Sequence, residues 1–131
     1  MSAQGAFKIT EEFERLLCEY TGAPYAVAVD NCSNALFLAL VRADVRGTVV
    51  EIPRHTYPSV PCEIIHAGGI VGWSDNAFAA QGDHLIGPYP LGYSGVYDYA
   101  LRFTSGMYIA QTTQCLSFTG PHKHLKLGKG G

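Results

Sequence analysis

Helix-like and strand-like segments alternate through the first half of the sequence, and this alternation constrains the fold more than any other feature. The segment ITEEFERLLCEYTG (9–22) has apolar residues at helical spacing, with Thr10 as the predicted N-cap. A β-leaning run, YAVAV (25–29), precedes a second apolar helix within DNCSNALFLALVRA (30–43), and TVVEIP (48–53) is the next predicted strand. Strand-helix-strand order favours an α/β fold with a mostly parallel sheet and flanking helices.

The second half of the sequence contains short predicted strands with little helix between them. A third helix is predicted over residues 59–67. The strand candidates that follow it are GIVGWSD, HLIGPYP, GVYDY, GMYIAQ and CLSFTG. Their spacing is unusual, because two parallel strands normally need a crossover of about a dozen residues or more. No linker divides the chain, so we predict a single domain over residues 1–131.

Composition argues against several classes of function. The 131 residues carry a formal net charge of −2 and a pI near 6.2, which does not suit a nucleic-acid-binding protein. The longest apolar run, residues 35–41, is too short to cross a bilayer, and no secretory signal is seen. None of the four cysteines forms a CxxC pair, and the histidines are not at zinc-ligand spacing from them. We therefore expect a cytoplasmic protein with reduced thiols, no metal, no nucleic acid and no membrane partner.

Four separate features carry candidate chemistry, and each has a plain structural alternative. The helix start in DNCSNAL (30–36) can hold a phosphate on its backbone N–H groups, or it is an ordinary N-cap. Tyr57 follows a predicted strand, where its ring either stacks on a ligand or packs. Asp98 ends an apolar strand, where it either pairs with a buried cation or caps the strand. Three of the four lysines lie in CLSFTGPHKHLKLGKGG (115–131), which is a reactive segment, a solvated tail, or a tail that binds phosphate or nucleic acid.

Taken in order along the chain, these features resemble one enzyme family. FERLLCEYTGAPYAVAVDNCSNALFLAL is similar to the opening helix, strand, phosphate turn and buried helix of the DegT/DnrJ/EryC1/StrS aminotransferases. EIPRHTYPSVPCEIIHAGGIVGWSD resembles the strand, aromatic turn, helix and edge strand that follow in that family. GVYDYAL resembles its Asp-Ala-Ala strand end, and CLSFTGPHKHLKLGKGG resembles its lysine loop, which normally ends in Gly-x-Gly-Gly. The resemblance implies a truncated large domain of the aspartate aminotransferase-like, fold-type I class.

The resemblance implies a role for each candidate residue in a pyridoxal 5'-phosphate site. Lys123 would form the Schiff base with the cofactor aldehyde and move protons at the substrate carbon. Asp98 would pair with the pyridine nitrogen, and Tyr57 would stack on the ring. The phosphate would bind the backbone N–H groups of Cys32 and Ser33, together with the side chains of Asn31, Ser33 and Ser117.

Three departures from the family pattern leave alternatives open. Cys32 stands where the family usually has glycine, which bears on how closely a phosphate approaches the backbone. Leu101 replaces the usual glutamine or histidine near the cofactor hydroxyl. Counting back from GKGG selects Lys123, whereas counting forward from Ser117 selects His122, a position that carries histidine in some dehydratase relatives. We favour Lys123, because its spacing to the glycines is the longer match.

The function implied by the resemblance is amino transfer from an amino acid such as glutamate to a keto-sugar nucleotide. The similarity stops at residue 131, before the rest of the family's large domain and its small domain, which predicts a minimal or split form. The alternative is a catalytically inactive remnant that serves as a binding or assembly module. Because the family builds its cofactor site across a dimer interface, we also expect a homo-oligomer, namely a two-fold dimer.

Overall fold

The computed structural model describes residues 5, 7–75, 88–119 and 131 of the chain. The helices are α1 (Lys8–Thr21), α2 (Cys32–Arg42) and α3 (Ser59–His66), and the strands are β1 (Val49–Pro53), β2 (Ile70–Ser74), β3 (Tyr89–Pro90), β4 (Val96–Tyr99) and β5 (Thr113–Leu116). The chain divides into two compact units. The first unit comprises Met1–Ala28 and Thr104–Ala110, and the second comprises Val29–Phe103 and Gln111–Gly131.

Helix α1, in the first unit, begins earlier than the sequence suggested. Its N-cap is Phe7, which makes no side-chain capping bond, and Glu11 N–H donates to the Phe7 carbonyl at 2.9 Å. Thr10 therefore lies inside the helix, and its predicted role as N-cap is wrong. The predicted end is confirmed, because Gly22 adopts a left-handed φ of 81° and donates its N–H to the Cys18 carbonyl. Glycine takes this conformation without steric cost.

Residues 106–110, most of the predicted strand GMYIAQ, form turns and irregular structure instead. Gly106 N–H donates to the Tyr20 carbonyl at 2.9 Å, and Tyr108 N–H donates to the Thr21 carbonyl at 3.1 Å. The last carbonyls of a helix have no partner within the helix, so they accept N–H groups that a sheet would otherwise use. The prediction of a strand is wrong here.

The predicted strand YAVAV (25–29) is an irregular segment with no strand assignment. Ala28 N–H donates to the Glu14 carboxylate at 2.8 Å, and Tyr25 is 85% exposed. Val29, the first residue of the second unit, exchanges two backbone hydrogen bonds with Gly131. High β propensity did not make this run a strand, because propensity reflects packing that only part of the segment obtains.

The second unit contains the strands and confirms the α/β prediction. β1 pairs with β2 in parallel, and β4 pairs with β5 in parallel. The short β3 pairs with β4 in the antiparallel direction. The turn after β3 also reaches β1, because Gly92 N–H donates to the Glu51 carbonyl at 2.9 Å. The pairing among the described strands is therefore mostly parallel.

Helices α2 and α3 cover the strands and enclose one apolar core in the second unit. The helices pack against each other, α2 contacts β4 and β5, and α3 contacts β2. Leu40 of α2, Ile52 of β1 and Ile64 of α3 are fully buried within this core. One face of the apolar run in α2 is therefore buried, whereas Leu38 and Val41 of the same helix are about half exposed. The expectation from composition that this helix is buried on nearly every side is wrong.

The part of the chain that the structure describes contains neither a helix that could span a membrane nor a group of metal ligands. No helix within it is long and apolar enough to cross a membrane. No three His, Cys, Asp or Glu side chains within those residues are grouped so that they could hold a metal ion. The four cysteines are free thiols.

Candidate functional site

Three buried residues form a row across the strands of the second unit. Tyr89 of β3 pairs with Asp98 of β4, and Asp98 pairs with Cys115 of β5. Directly paired residues share one face of a sheet, so these side chains lie next to one another. Asp98 is only 7% exposed, and both neighbours are buried as well. The row places a carboxylate, which is costly to bury, between a phenol and a thiol.

Both oxygens of the Asp98 carboxylate accept hydrogen bonds. Ala100 N–H donates to Oδ1 at 2.8 Å, and the Tyr89 hydroxyl donates to Oδ2 at 3.1 Å. Thr56, in the turn after β1, is hydrogen-bonded to the Tyr89 hydroxyl. These bonds stabilise a buried charge whose burial without partners would be strongly unfavourable.

Burial and charge change the acidity of the two neighbours of Asp98. Burial raises the pKa of the Tyr89 phenol well above its ordinary value, and the negative charge of Asp98 raises it further. Burial likewise raises the pKa of the Cys115 thiol, with further contributions from Cys32 and Asp98. Both groups therefore stay protonated at neutral pH, and Tyr89 remains a hydrogen-bond donor.

The start of α2 lies where the phosphate turn was predicted. Asn31 is the N-cap, because its Oδ1 accepts a hydrogen bond from Asn34 N–H at 2.8 Å. This cap uses the amide oxygen and leaves the amide N–H₂ as the group with which Asn31 could donate to a phosphate. Ser33 donates its hydroxyl to Ser59 Oγ at 2.8 Å, at the start of α3. The positive ends of two helices thus adjoin, an arrangement that favours an anion.

Gly131 lies directly against the peptide bond between Asn31 and Cys32. Its N–H donates to the Val29 carbonyl at 3.1 Å, and its carbonyl accepts from Val29 N–H at 3.0 Å. A Cβ at position 131 would lie 2.4 Å from both the Asn31 carbonyl carbon and the Cys32 nitrogen. The glycine therefore sits beside the Cys32 N–H, one of the two N–H groups predicted to hold phosphate.

Of the other predicted site residues, the structure describes some, and two lie outside the described part of the chain. Tyr57 lies in the turn before α3 with its side chain 71% exposed, and Ser117 follows β5 in a half-buried position. Cys32 packs against the apolar core that contains Tyr89 and Cys115. Lys123 and its alternative His122 lie outside the described residues, so their assignment stays a prediction.

Sequence reasoning missed the residues that support this site from neighbouring elements. Tyr89 contacts Asp98 directly, and Thr56 is linked to Asp98 through the Tyr89 hydroxyl. Ser59 contacts Ser33. Nothing in the local sequence of Tyr89 signals this role, because it depends on the register between β3 and β4. A serine at the start of a predicted helix was the one available signal for Ser59.

Comparison with known proteins identifies relatives that cover about half of the chain. Residues 4–76 match the DegT/DnrJ/EryC1/StrS aminotransferase family. Two solved structures of Spr1654 from Streptococcus pneumoniae, assigned as a sugar aminotransferase, are similar to the chain; one is the pyridoxal-phosphate form and one the apo form. Each is 34% identical, covers 51% of this chain and has a TM-score of 0.49, and the chain spans 17% of their length. No curated protein matches the sequence.

Proposed function

The chain belongs to the DegT/DnrJ/EryC1/StrS aminotransferase family, and from this premise we propose that it acts as a pyridoxal-phosphate-dependent sugar aminotransferase. The amino group of an amino acid such as glutamate is exchanged for the carbonyl oxygen of a keto-sugar nucleotide, which gives a 2-oxo acid and an amino sugar. In this proposal residues 1–131 form one domain, equivalent to the N-terminal part of the family's large domain, and act in the cytoplasm.

The buried Asp98 is the single observation that carries the proposal. A carboxylate that is 7% exposed needs a chemical reason to be retained among apolar strands. It accepts hydrogen bonds from Ala100 N–H and the Tyr89 hydroxyl, and an ionised carboxylate stabilises a positive charge placed beside it. A protonated ring nitrogen is chemically compatible with such a group. The residues around Asp98 fit the cofactor that the family uses.

The adjoining starts of α2 and α3 would hold the cofactor phosphate. Ser33 and Ser59 supply hydroxyls at this point, and the helix ends supply partial positive charge. In the proposal the phosphate contacts the N–H groups of Cys32 and Ser33 and the side chains of Asn31, Ser33 and Ser117. Tyr57, which is largely exposed, would cover one face of the ring.

The protein's own residues would supply binding, orientation and proton transfer. Pyridoxal phosphate, when bound, would provide an electron sink for the substrate carbon. Asp98 would keep the ring nitrogen protonated by pairing with it. Lys123 would accept a proton from the substrate carbon and return it, which requires that its amine be neutral for part of the cycle.

A second candidate function is a catalytically inactive remnant that binds or assembles. The observation that favours it is the close approach of Gly131 to the Cys32 nitrogen, together with Cys32 in place of the family's usual glycine. A dehydratase-like relative that uses His122 is the third candidate. Cofactor binding without turnover would support the remnant, whereas loss of a sugar hydroxyl catalysed through His122 would support the dehydratase.

Spectroscopy of the purified chain with pyridoxal phosphate tests the proposal. We expect an absorbance band near the visible edge that disappears on borohydride reduction and that is absent in Lys123→Ala. If His122→Ala abolishes the band and Lys123→Ala keeps it, the lysine assignment is wrong. Transfer of an amino group from glutamate to a keto-sugar nucleotide would exclude the inactive remnant.

Asp98→Asn tests the carboxylate on which the proposal depends. The amide preserves the side-chain shape but cannot neutralise a protonated ring nitrogen, so we expect weaker cofactor binding. Asp75→Asn is the matched control, because Asp75 is an exposed carboxylate paired with Arg54. Equal cofactor affinity in both variants would remove Asp98 from the site.

The proposal includes a homodimer. Apolar side chains that are exposed in the single chain support it, including Val49 of β1 and Ile70 of β2, which are directly paired. Adjacent exposed apolar residues of this kind are typical of an interaction surface. Light scattering at micromolar concentration is expected to give twice the mass of the chain, and a stable monomer would contradict the dimer.

A further inference from the structure

We propose that Tyr89 is a positioning residue for Asp98 and that Thr56 orients the Tyr89 hydroxyl in turn. This inference rests on the proposed function, since it concerns the carboxylate that would pair with the cofactor ring. It adds to that function a chain of hydroxyl groups that fixes where the carboxylate points. The three side chains belong to the turn after β1, to β3 and to β4.

The direction of the hydrogen bonds follows from the donors that each group has. The Tyr89 hydroxyl carries one proton and donates it to Asp98 Oδ2 at 3.1 Å. Its bond with the Thr56 hydroxyl must therefore be one in which Thr56 donates and Tyr89 accepts. The protons of Thr56 and Tyr89 thus both point toward the carboxylate. An aligned chain of this kind strengthens each of its bonds.

The burial of Tyr89 keeps this arrangement intact over a wide pH range. Tyr89 and Asp98 are 6% and 7% exposed. Burial and the adjacent carboxylate both raise the pKa of the phenol, so the donated proton stays on Tyr89 in neutral and moderately alkaline solution. Asp98 Oδ1 is fixed separately by Ala100 N–H. With both oxygens held, the carboxylate plane cannot rotate freely.

The chain of hydroxyls also connects two parts of the proposed site. Thr56 precedes Tyr57, the residue proposed to stack on the cofactor ring, in the turn after β1. Asp98 lies on β4, far along the sequence, and Tyr89 bridges the two. Tyr89 would thus connect the carboxylate proposed to pair with the ring nitrogen to the turn that carries Tyr57.

Tyr89→Phe removes the donated proton and keeps the ring, so it isolates the hydrogen bond. Titration with pyridoxal phosphate is expected to show about tenfold weaker binding or more, because hydrogen bonds to charged groups are among the stronger ones. Thr56→Val is expected to weaken binding less, and Thr56→Ser should restore it. Tyr93→Phe is the matched control, since Tyr93 is fully exposed.

Infrared spectroscopy of the cofactor-free chain gives a readout that does not depend on binding. The Asp98 carboxylate stretch, identified by its loss in Asp98→Asn, should shift in Tyr89→Phe and stay in place in Tyr93→Phe. A shifted stretch in a chain that binds no cofactor would support the positioning contact while refuting the proposed function. An unshifted stretch with unchanged cofactor affinity would overturn the inference. If Tyr89→Phe does not fold, the cofactor affinity and the carboxylate stretch are measured in Thr56→Val instead. If neither changes in that variant, the inference is wrong.

Discussion

Val29 and Gly131 form a reciprocal backbone pair, in which each residue donates its N–H to the carbonyl of the other at 3.0 and 3.1 Å. Two residues exchange both bonds in this way when their chains run antiparallel. Gly131 thus lies beside the residue that leads into α2. This pair connects the end of the lysine-containing sequence with the predicted phosphate turn.

Gly131→Ala is predicted to break the Val29 pair. The added methyl group would lie 2.4 Å from the Asn31 carbonyl carbon and the Cys32 nitrogen, and backbone atoms cannot move aside as a flexible side chain can. Overpacking of this type costs about 1–3 kcal/mol. Hydrogen exchange should show faster exchange of the Val29 amide. Gly5→Ala is the control, because a Cβ added at Gly5 would meet nothing within 4 Å, and equal protection in both variants would contradict the prediction.

The free energy of unfolding is predicted to fall in alkaline solution. The ordinary pKa values of tyrosine and cysteine are 10.0 and 9.0, and burial raises those of Tyr89 and Cys115 in the folded chain. Their contribution is complete below these ordinary values and is lost as the pH rises, because the unfolded chain then releases protons that the folded chain retains. Each group contributes a slope of about 1.4 kcal/mol per pH unit.

Urea unfolding between about pH 8 and pH 11 measures this slope. Cys115→Val removes the thiol with little change in volume and should flatten the curve above the ordinary thiol pKa. Tyr89→Phe should flatten it above the ordinary phenol pKa. Variants with the same slope as the unmodified chain would show that these groups titrate alike when folded and unfolded.

The helices were the more predictable part of the fold. α2 and α3 lie where apolar periodicity and breakers placed them, and α1 ends at the predicted Gly22. Strands β1, β2 and β4 were also predicted, because each is a compact apolar run between turn residues. The prediction of a strand at GMYIAQ was wrong because two of its backbone N–H groups donate to carbonyls at the end of α1. Local propensity does not reveal this partner.

The candidate site was only partly predictable for a related reason. Asp98 was identified as an unusual carboxylate at the end of an apolar strand, and the structure buries it there. Its partner Tyr89 depends on the register of β3 against β4, and a shift of one residue would turn Tyr89 to the opposite face. Register is a property of the assembled sheet, so the local sequence could not supply it.

Leu40→Ala is predicted to destabilise the second unit strongly. Leu40 of α2 is fully buried in the core, and its truncation leaves a cavity that costs about 2–5 kcal/mol. Leu38→Ala on the same helix is the control, because Leu38 is 51% exposed and should change stability by about 0.5 kcal/mol or less. Chemical denaturation measures both, and similar losses would mean that α2 does not pack as described.

Substitutions at Asn31 distinguish the structural role of the α2 start from its proposed role in phosphate binding. Asn31→Ala removes the cap on Asn34 N–H and should lower the free energy of unfolding by about 1 kcal/mol. Asn34→Ala keeps that N–H and loses only a surface bond to Asp30, so it should cost less.

Asn31→Asp retains an oxygen for the cap and places a negative charge at the positive end of the helix, so stability should be preserved. The same charge would repel a bound phosphate. We therefore expect Asn31→Asp to weaken binding of pyridoxal phosphate, and of inorganic phosphate as its competitor, while Asn34→Ala leaves both unchanged. Calorimetric titration measures these affinities. If Asn31→Asp binds phosphate as well as the unmodified chain does, Asn31 is a helix cap and the anion lies elsewhere.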